Sequence, residues 1–437
     1  MPVAHVTAQL PAPSDTNGLF RLDTLRVKNF RCFEDFELDL HARMTVLHAD
    51  NGGGKTSLLA ALAVGMGGWF SDLGVYAKRN IRAPDVRTET RFVGRVAENV
   101  SHYPVRVECQ GTVGGEPIQW ARSLRRVGGS TTTRELAWLT AKTRQLLQRV
   151  QQSPDVDLPV LALYGTQRLF RQARETESKQ PPERQTRLYG YLDCLNPASN
   201  EKQLLSWLYQ EAMAEFQTGT PLPQYQALRG AILRALGGGF VDLAYDARQR
   251  EPCLVHHSGE VLPWSRFSDG YHTFIGMVAD VAWRTVLLNP HRAADAPAYA
   301  EGLVVIDEVD LHLHPTWQRR VLGDLLSAFP RLQFVVTTHS PQVLGSAKRE
   351  WLRGLSPGAD RADVGVAVEG RDSNAILDDV MGAASRDPEM TRALEHLFQH
   401  IDDDAMDLAR EELAALAEKL GWEDTSIVRA QARMHRS

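Results

Sequence analysis

Cysteine is scarce: Cys32, Cys109, Cys194 and Cys253 are the only four in 437 residues, and no two form a C-x-x-C pair. That excludes a disulfide framework and a zinc hook, and isolated thiols are expected in a reducing compartment, here the cytoplasm. No stretch reaches the roughly 18 uninterrupted apolar residues of a membrane-crossing helix, so no membrane partner is expected. A charge excess of one sign is missing too. Forty-nine basic side chains face 54 acidic ones, a formal balance of −5. This argues against a protein that coats nucleic acid or anionic membrane indiscriminately, while leaving room for a local basic groove. The start, MPVAHVTAQLPAPSDTNG, has neither the basic opening nor the long apolar core of a signal peptide, and residues 1–18 are expected to form a flexible tail. Internal repeats, low-complexity tracts and sustained heptads are absent, as are an HExxH pair and a Ser–His–Asp or Cys–His arrangement.

What remains is an ordinary globular composition, 43% hydrophobic and 24% charged, in a chain long enough for one large elaborated domain with an appendage. Two strands are expected in Leu19–Leu40 and further strands around Phe92–Val96, Tyr103–Gly111 and Ile118–Leu124. A helix follows over Glu135–Gln152, then a buried strand at Pro159–Tyr164. Arg168–Pro182 reads as loop. Leu204–Phe216 and Tyr225–Leu236 read as helices of an insert closed by Gly237-Gly238-Gly239. Tyr271–Leu288 is a helix stopped by Asn289-Pro290. Strand Gly302–Ile306, helix Thr316–Phe329 and strand Leu332–Thr338 have the spacing of a parallel βαβ unit. After Gly370 come short amphipathic helices, one opened by Asp387-Pro388 and carrying Met390, Leu394, Leu397 and Ile401 on one face, the next running Asp404–Leu420 to Gly421.

The densest signal is His48–Leu62. A short β-branched run, Met44–Leu47, leads into Asn51-Gly52-Gly53-Gly54. Lys55, Thr56 and Ser57 then open a run that is apolar on almost every side. Strand, glycine loop and helix with Gly54-Lys55-Thr56 at the junction is a phosphate-cradling loop. Glycines let backbone N–H groups approach phosphate oxygens, and the helix N-terminus adds donors and partial positive charge. Lys55 is then expected to reach β- and γ-phosphates and Thr56 to bind Mg²⁺. Ala49 stands where the motif has its first glycine, tolerable if its φ stays negative.

A second cluster lies downstream. Asp307 and Glu308 end an apolar strand at the edge where ligands bind parallel sheets, suited to supporting Mg²⁺ and polarising water. Ser268-Asp269-Gly270 opens a helix, which is an anion site by geometry or simply a Ser N-cap. His339 is open to two readings, a loop histidine or a γ-phosphate contact. His312 and His314 beside Asp310 invite a metal reading but lack a second ligand cluster. His396 and His400 read as a solvated face. Arg122, Arg125 and Arg126, and separately Arg168, Arg171 and Arg174, read by default as solvated charge, with phosphate contact the alternative.

Asn29-Phe30-Arg31, the glycine loop, Ser268-Asp269-Gly270, the Val304–Pro315 block and Thr337-Thr338-His339-Ser340-Pro341 together resemble the AAA-family, ABC-type ATPase heads of the SMC, RecF and OLD group. More narrowly the chain resembles the bacterial family described as predicted ATP-binding proteins involved in virulence. It is also similar to ATPase subunits of anti-phage systems such as Septu and certain retrons. The narrower likeness is carried by Leu163–Thr166, Leu188–Tyr191, Leu192–Pro197 and Asp372–Leu377, and overall it covers roughly residues 20–435. It implies Walker A at Asn51–Ser57, Walker B at Asp307, a catalytic base at Glu308 and a switch histidine at His339. It further implies a signature at Ser268–Gly270 that contacts ATP on the opposite subunit, a D-loop at Asp310–Pro315, and Arg31 at the nucleotide. Asp269 departs from the Gly of many signatures, Tyr271 from their Gln or Glu, and Gln167 is the candidate Q-loop residue. With no coiled coil and no TOPRIM-like acidic cluster, neither an SMC-type arm nor the OLD nuclease is expected.

The expected fold is α/β, an ABC-type P-loop head with a β-rich N-terminal lobe (19–165), a helical insert (166–260), a C-terminal lobe (261–370) and C-terminal helices (371–437). Those helices are expected either to dock a partner or to finish the core of the head. The function implied is an ATP- and Mg²⁺-dependent ATPase that dimerises around ATP and regulates a protein effector, with anti-phage defence as the setting. The alternative is a RecF-like repair ATPase whose partner is DNA; a transporter subunit is the third, least suited reading.

Overall fold

A computed structural model describes residues 18–73, 79–93, 95–166, 186–197, 201–356, 358–382 and 386–435. The N-terminal tail through residue 17, Gln167, the Arg168–Pro182 stretch and the Arg168, Arg171 and Arg174 cluster lie outside the described residues.

Strands β1 (Phe20–Phe30) and β2 (Phe33–Asp39) form an antiparallel pair, and β3 (Met44–His48) leads through the glycine loop into α1 (Lys55–Met66). The hairpin β4 (Thr88–Val93) and β5 (Val96–Ser101) follows, then β6 (Val105–Val113) and β7 (Glu116–Leu124). Strands β2, β1, β6 and β7 make one antiparallel sheet in that order. The two strands expected in Leu19–Leu40 are β1 and β2, and Leu22, Leu25, Val27 and Phe30 of β1 are buried. The stretch Phe92–Val96 is not one strand: Val93 pairs with Val96 and Phe92 with Ala97, so the chain reverses there. Both Phe92 and Val96 stand exposed, so burial did not pattern this segment.

Next come α2 (Ala137–Gln152), β8 (Val160–Tyr164), α3 (Glu201–Thr218) and α4 (Pro223–Leu236). The insert is not wholly helical. Strands β9 (Phe240–Asp246), β10 (Glu251–His256) and β11 (Val261–Pro263) form a three-stranded antiparallel sheet. Helix α5 (Asp269–Leu288) is apolar and almost wholly buried. After α6 (Ala296–Tyr299) and β12 (Gly302–Ile306), the helix expected over Thr316–Phe329 is split into α7 (Pro315–Gln318) and α8 (Val321–Ala328). The break falls at Arg320, at φ −118°, whose guanidinium bonds Leu236 O and Asp324. Then β13 (Leu332–Thr337), α9 (Pro341–Leu344), β14 (Leu352–Gly354) and β15 (Asp363–Val364) complete the head.

The central sheet runs β15-β14-β3-β13-β12-β8. Strands β14, β3, β13, β12 and β8 are parallel to their neighbours, and β15 is antiparallel. This is the βαβ relation expected for β12 and β13. Strand β3 sits two positions from β12, with β13 between, so the glycine loop and the Asp307–Glu308 pair emerge at the same sheet edge. Helix α1 is buried against the antiparallel sheet: Trp120 Nε1 donates to Gly65 O at 3.0 Å, and a Cβ on Gly65 would lie 2.4 Å from Cys109 Sγ. Buried Gln333 joins the two sheets by accepting from Leu22 N at 3.0 Å and donating to Leu22 O at 2.6 Å.

The chain divides into two compact units between Gly370 and Arg371. The second comprises α10 (Ser373–Asp379), α11 (Pro388–Asp402), α12 (Met406–Leu420) and α13 (Thr425–Met434). Leu394, Leu397 and Ile401 of α11 pack with Leu413, Leu416 and Ile427 in a core of its own. Asp387 caps α11 as read, accepting from Glu389 N, and Gly421 ends α12.

Candidate active site

Gly52 and Gly54 take φ of 82° and 90°, a region L side chains rarely adopt. A Cβ on Gly54 would also meet Phe33 Cζ at 2.4 Å, so the β1–β2 turn closes one wall of the loop. Gly53 N donates to Asp50 O at 3.0 Å. Ala49 keeps φ negative, and its methyl occupies the space a Cβ on Gly53 would need, 2.7 Å away. The bare Gly53 is therefore what accommodates Ala49. Asn51 and Gly52 are exposed at the loop tip, and Thr56 and Ser57 lie in the first turn of α1.

Lys55 is 7% exposed. Its Nζ donates to Ala49 O at 2.6 Å and Asp50 O at 3.1 Å, which aims the ammonium into the hollow of the loop. Burial pushes its pKa down, opposed by the carboxylates of Asp307, Asp50 and Glu308.

Strand β12 carries Asp307 to the loop, with Asp307 N bonded to Tyr164 O at 2.8 Å. Thr56 Oγ1 donates to Asp307 Oδ2 at 3.1 Å, across 251 residues of sequence. Thr337 Oγ1 donates to Asp307 Oδ1 at 2.7 Å, and the same hydroxyl accepts from Glu308 N at 2.7 Å. Glu308 takes φ 48°. Thr338 Oγ1 donates to Asp310 Oδ1 at 2.6 Å, and Ser340 Oγ donates to Gln318 Oε1 at 2.7 Å. Half-buried His339 stands between those two hydroxyl anchors. Thr337 and Thr338 had no role assigned from sequence. The available signal was a pair of hydroxyls directly after the apolar run Phe334–Val336.

Arg31 sits at the β1–β2 turn with φ 50°. Its Nε and Nη2 lie 3.0 and 2.8 Å from Asp85 Oδ1. Asp85, 1% exposed, also accepts from Arg79 and from the amide of Arg82. Arg31, Arg79 and Arg82 line a cavity of about 540 Å³ that Thr56, Asp307 and Asn196 also border. Arg122 departs from its reading as solvated charge. It is 4% exposed, bonds the carbonyls of Val64 and Arg79, and burial lowers its pKa to about 10.

Ser268 caps α5, its Oγ accepting from Tyr271 N at 3.4 Å. Ser268 and Asp269 are exposed, and buried Gly270 lies against the backbone of His312. His314 Nδ1 accepts from Thr316 N, and among the described residues no cluster of His, Cys, Asp and Glu could hold a metal by itself. Thr56 and Asp307 offer hydroxyl and carboxylate oxygens, hard donors that suit Mg²⁺ as a partner of bound phosphate. The glycine loop has the cradle that phosphate requires.

Sheet order, glycine loop and paired carboxylates at one edge give the arrangement of a P-loop nucleotide-binding head. Residues 24–218 match the family described as "AAA domain", and residues 254–345 the family described as "AAA domain, putative AbiEii toxin, Type IV TA system". The glycine loop lies in the first of these stretches and the Asp307–Glu308 pair in the second, so the chain is similar to AAA-domain proteins on both sides of the site. It is 33% identical over 186 residues to "Retron Ec83 probable ATPase" of Escherichia coli, covering 41% of this chain and 34% of that one. It is 39% identical over 110 residues to "Septu protein PtuA" of Bacillus mycoides, covering 25% and 13%. The chain thus spans about a third or less of the curated relatives it matches. The SMC head domain from Thermotoga maritima aligns over 80% of this chain and 100% of its own at 16% identity, TM-score 0.45. Among the described residues no helix is long and apolar enough to cross a membrane.

Proposed function

We propose that this chain binds ATP with Mg²⁺ and hydrolyses it at Lys55, Thr56, Asp307 and Glu308, in a dimer where Ser268–Gly270 of one copy completes the site of the other. The observation that carries this reading is the continuous bonding Thr56–Asp307–Thr337–Glu308 beside a Lys55 aimed into the glycine loop. Lys55 and the loop amides bind and orient the phosphates. Thr56 and Asp307 hold Mg²⁺, which when bound draws charge from the phosphate oxygens. Glu308 takes the proton of the attacking water as the bond to the departing ADP breaks, and His339 orients the group transferred. ATP shifts the dimer only through its differential affinity for the closed state, which phosphate contacts from both copies supply.

In this reading the dimer regulates a protein effector in the cytoplasm, in anti-phage defence, and the helices after Arg371 are candidates for docking it. Similarity to retron and Septu chains supports that setting. The test is a pull-down of tagged Glu308→Gln with ATP from the native host. A stoichiometric protein retained at moderate salt supports the reading. Nucleic acid alone, lost steeply as salt rises, supports a DNA-repair ATPase in its place.

A further inference from the structure

Helix α5 and the loop after Glu308 meet at one point. A Cβ built on Gly270 would lie 2.3 Å from His312 O, 3.1 Å from His312 C and 3.5 Å from Leu313 Cα. These are backbone atoms, so no side-chain rotation relieves the overlap. The loop is held on both sides of that point. Upstream, Glu308 N bonds Thr337 Oγ1, Val309 N bonds Thr337 O, and Asp310 accepts from Thr338. Inside it, Leu311 N bonds Glu308 O and Leu313 N bonds Asp310 O, with Glu308 and His312 both at positive φ. Downstream, Trp317 packs on Tyr271 and Phe274, with ring centroids 4.6 and 5.8 Å away. Two short turns with strained ends have little room to absorb a shift.

We propose that Gly270 is a positioning residue for Glu308 of its own subunit. Its bare backbone seats the 308–313 loop on the first turn of α5, so displacement of the Ser268–Gly270 turn is passed to the carboxylate at Glu308. This action within one chain is separate from any contact that turn makes with ATP on a partner, and its catalytic consequence rests on the function proposed above.

The test compares Gly270→Ala with Ser268→Arg in the full chain. Hydrogen exchange at the amides of Val309, Leu311 and Leu313 is expected to quicken roughly tenfold or more in Gly270→Ala and to stay at the wild-type rate in Ser268→Arg. Unchanged exchange in Gly270→Ala overturns the proposal, and this readout needs no dimer. The catalytic arm uses heterodimers purified on two tags. Ser268→Arg paired with Lys55→Ala retains one working site. Gly270→Ala paired with Lys55→Ala is expected to hydrolyse at least roughly tenfold more slowly than that, with ATP affinity within about threefold of wild type. Equal rates in the two heterodimers overturn the proposal. An inactive Ser268→Arg pair overturns the two-copy site instead, and the exchange result still decides Gly270. If Gly270→Ala is insoluble, adding His312→Gly, which frees that carbonyl to rotate, is expected to restore folding and ATP binding without restoring protection of the loop. Restored protection would overturn the proposal.

Discussion

Thr337 Oγ1 stands 2.7 Å from Asp307 Oδ1 and 2.7 Å from the amide of Glu308, so one hydroxyl orients both carboxylate residues of the site. Thr337→Val keeps shape and removes the hydroxyl, leaving a buried carboxylate oxygen and an amide without this partner. A lost hydrogen bond to a charged group is worth about 1.5–3 kcal/mol, which corresponds to a fall in kcat of roughly 10- to 100-fold. Steady-state hydrolysis is the measurement. ATP affinity is expected within about threefold of wild type, because Lys55 and the loop are untouched.

Lys55→Ala removes the buried ammonium aimed at the phosphates, and ATP–Mg²⁺ binding is expected to disappear in calorimetry. Retained affinity would refute the reading of the glycine loop.

The pH dependence of ATP affinity follows from the same side chain. Burial lowers the Lys55 pKa from its ordinary 10.5, so the uncharged form arises at lower pH than in a free lysine. Bound phosphate favours the charged form. Affinity should therefore be full near neutrality and fall as pH rises through the lowered pKa. Lys55→Arg, whose charge persists, is expected to lack this alkaline fall; an identical fall would assign it to another group.

Glu308→Gln keeps the size of the side chain and removes the base. Hydrolysis is expected to slow by roughly 10²- to 10⁴-fold, and light scattering should show a dimer that persists with ATP. Hydrolysis at the wild-type rate would take Glu308 out of its role.

Helix α5 owes its seat to buried charge. Tyr164 Oη donates to Asp280 Oδ2 at 2.6 Å, Arg284 Nε to the same oxygen at 2.8 Å, and Arg284 Nη1 also bonds Gly190 O and Leu192 O. Asp280 and Arg284 are 3% and 4% exposed. Asp280→Ala strands the guanidinium in the interior and is expected to cost about 3–5 kcal/mol. Tyr164→Phe removes one hydrogen bond and should cost about 1–3 kcal/mol. Urea titrations of both variants give the comparison.

Where the chain makes its own geometry over a few residues, the sequence was sufficient. Gly52–Gly54 before Lys55, Ser268 capping α5, Asp387 with Pro388 opening α11 and the apolar run of β12 ending at Asp307 were all legible, because φ restriction, capping and side-chain period act locally. Strands β9–β11 were less legible: Phe240–Tyr245 lacks an apolar–polar alternation and buries only Leu243, and the apolar run Cys253–Val255 is three residues long. The division of Thr316–Phe329 at Arg320 was not legible, because beside its local partner Asp324 the guanidinium bonds the Leu236 carbonyl, 84 residues away.

The amino-acid order by itself determined a phosphate-binding loop, a strand ending in two carboxylates and a capped helix between them in the chain. Only the tertiary structure decided that Thr337 joins Asp307 to Glu308, that Arg31 is held by Asp85, and that Gly270 carries the backbone of His312. The physical reason is range. Each of these contacts depends on sheet register and helix placement, which are set by packing of the whole core, and no local pattern encodes which distant hydroxyl, carboxylate or carbonyl will arrive within 3 Å.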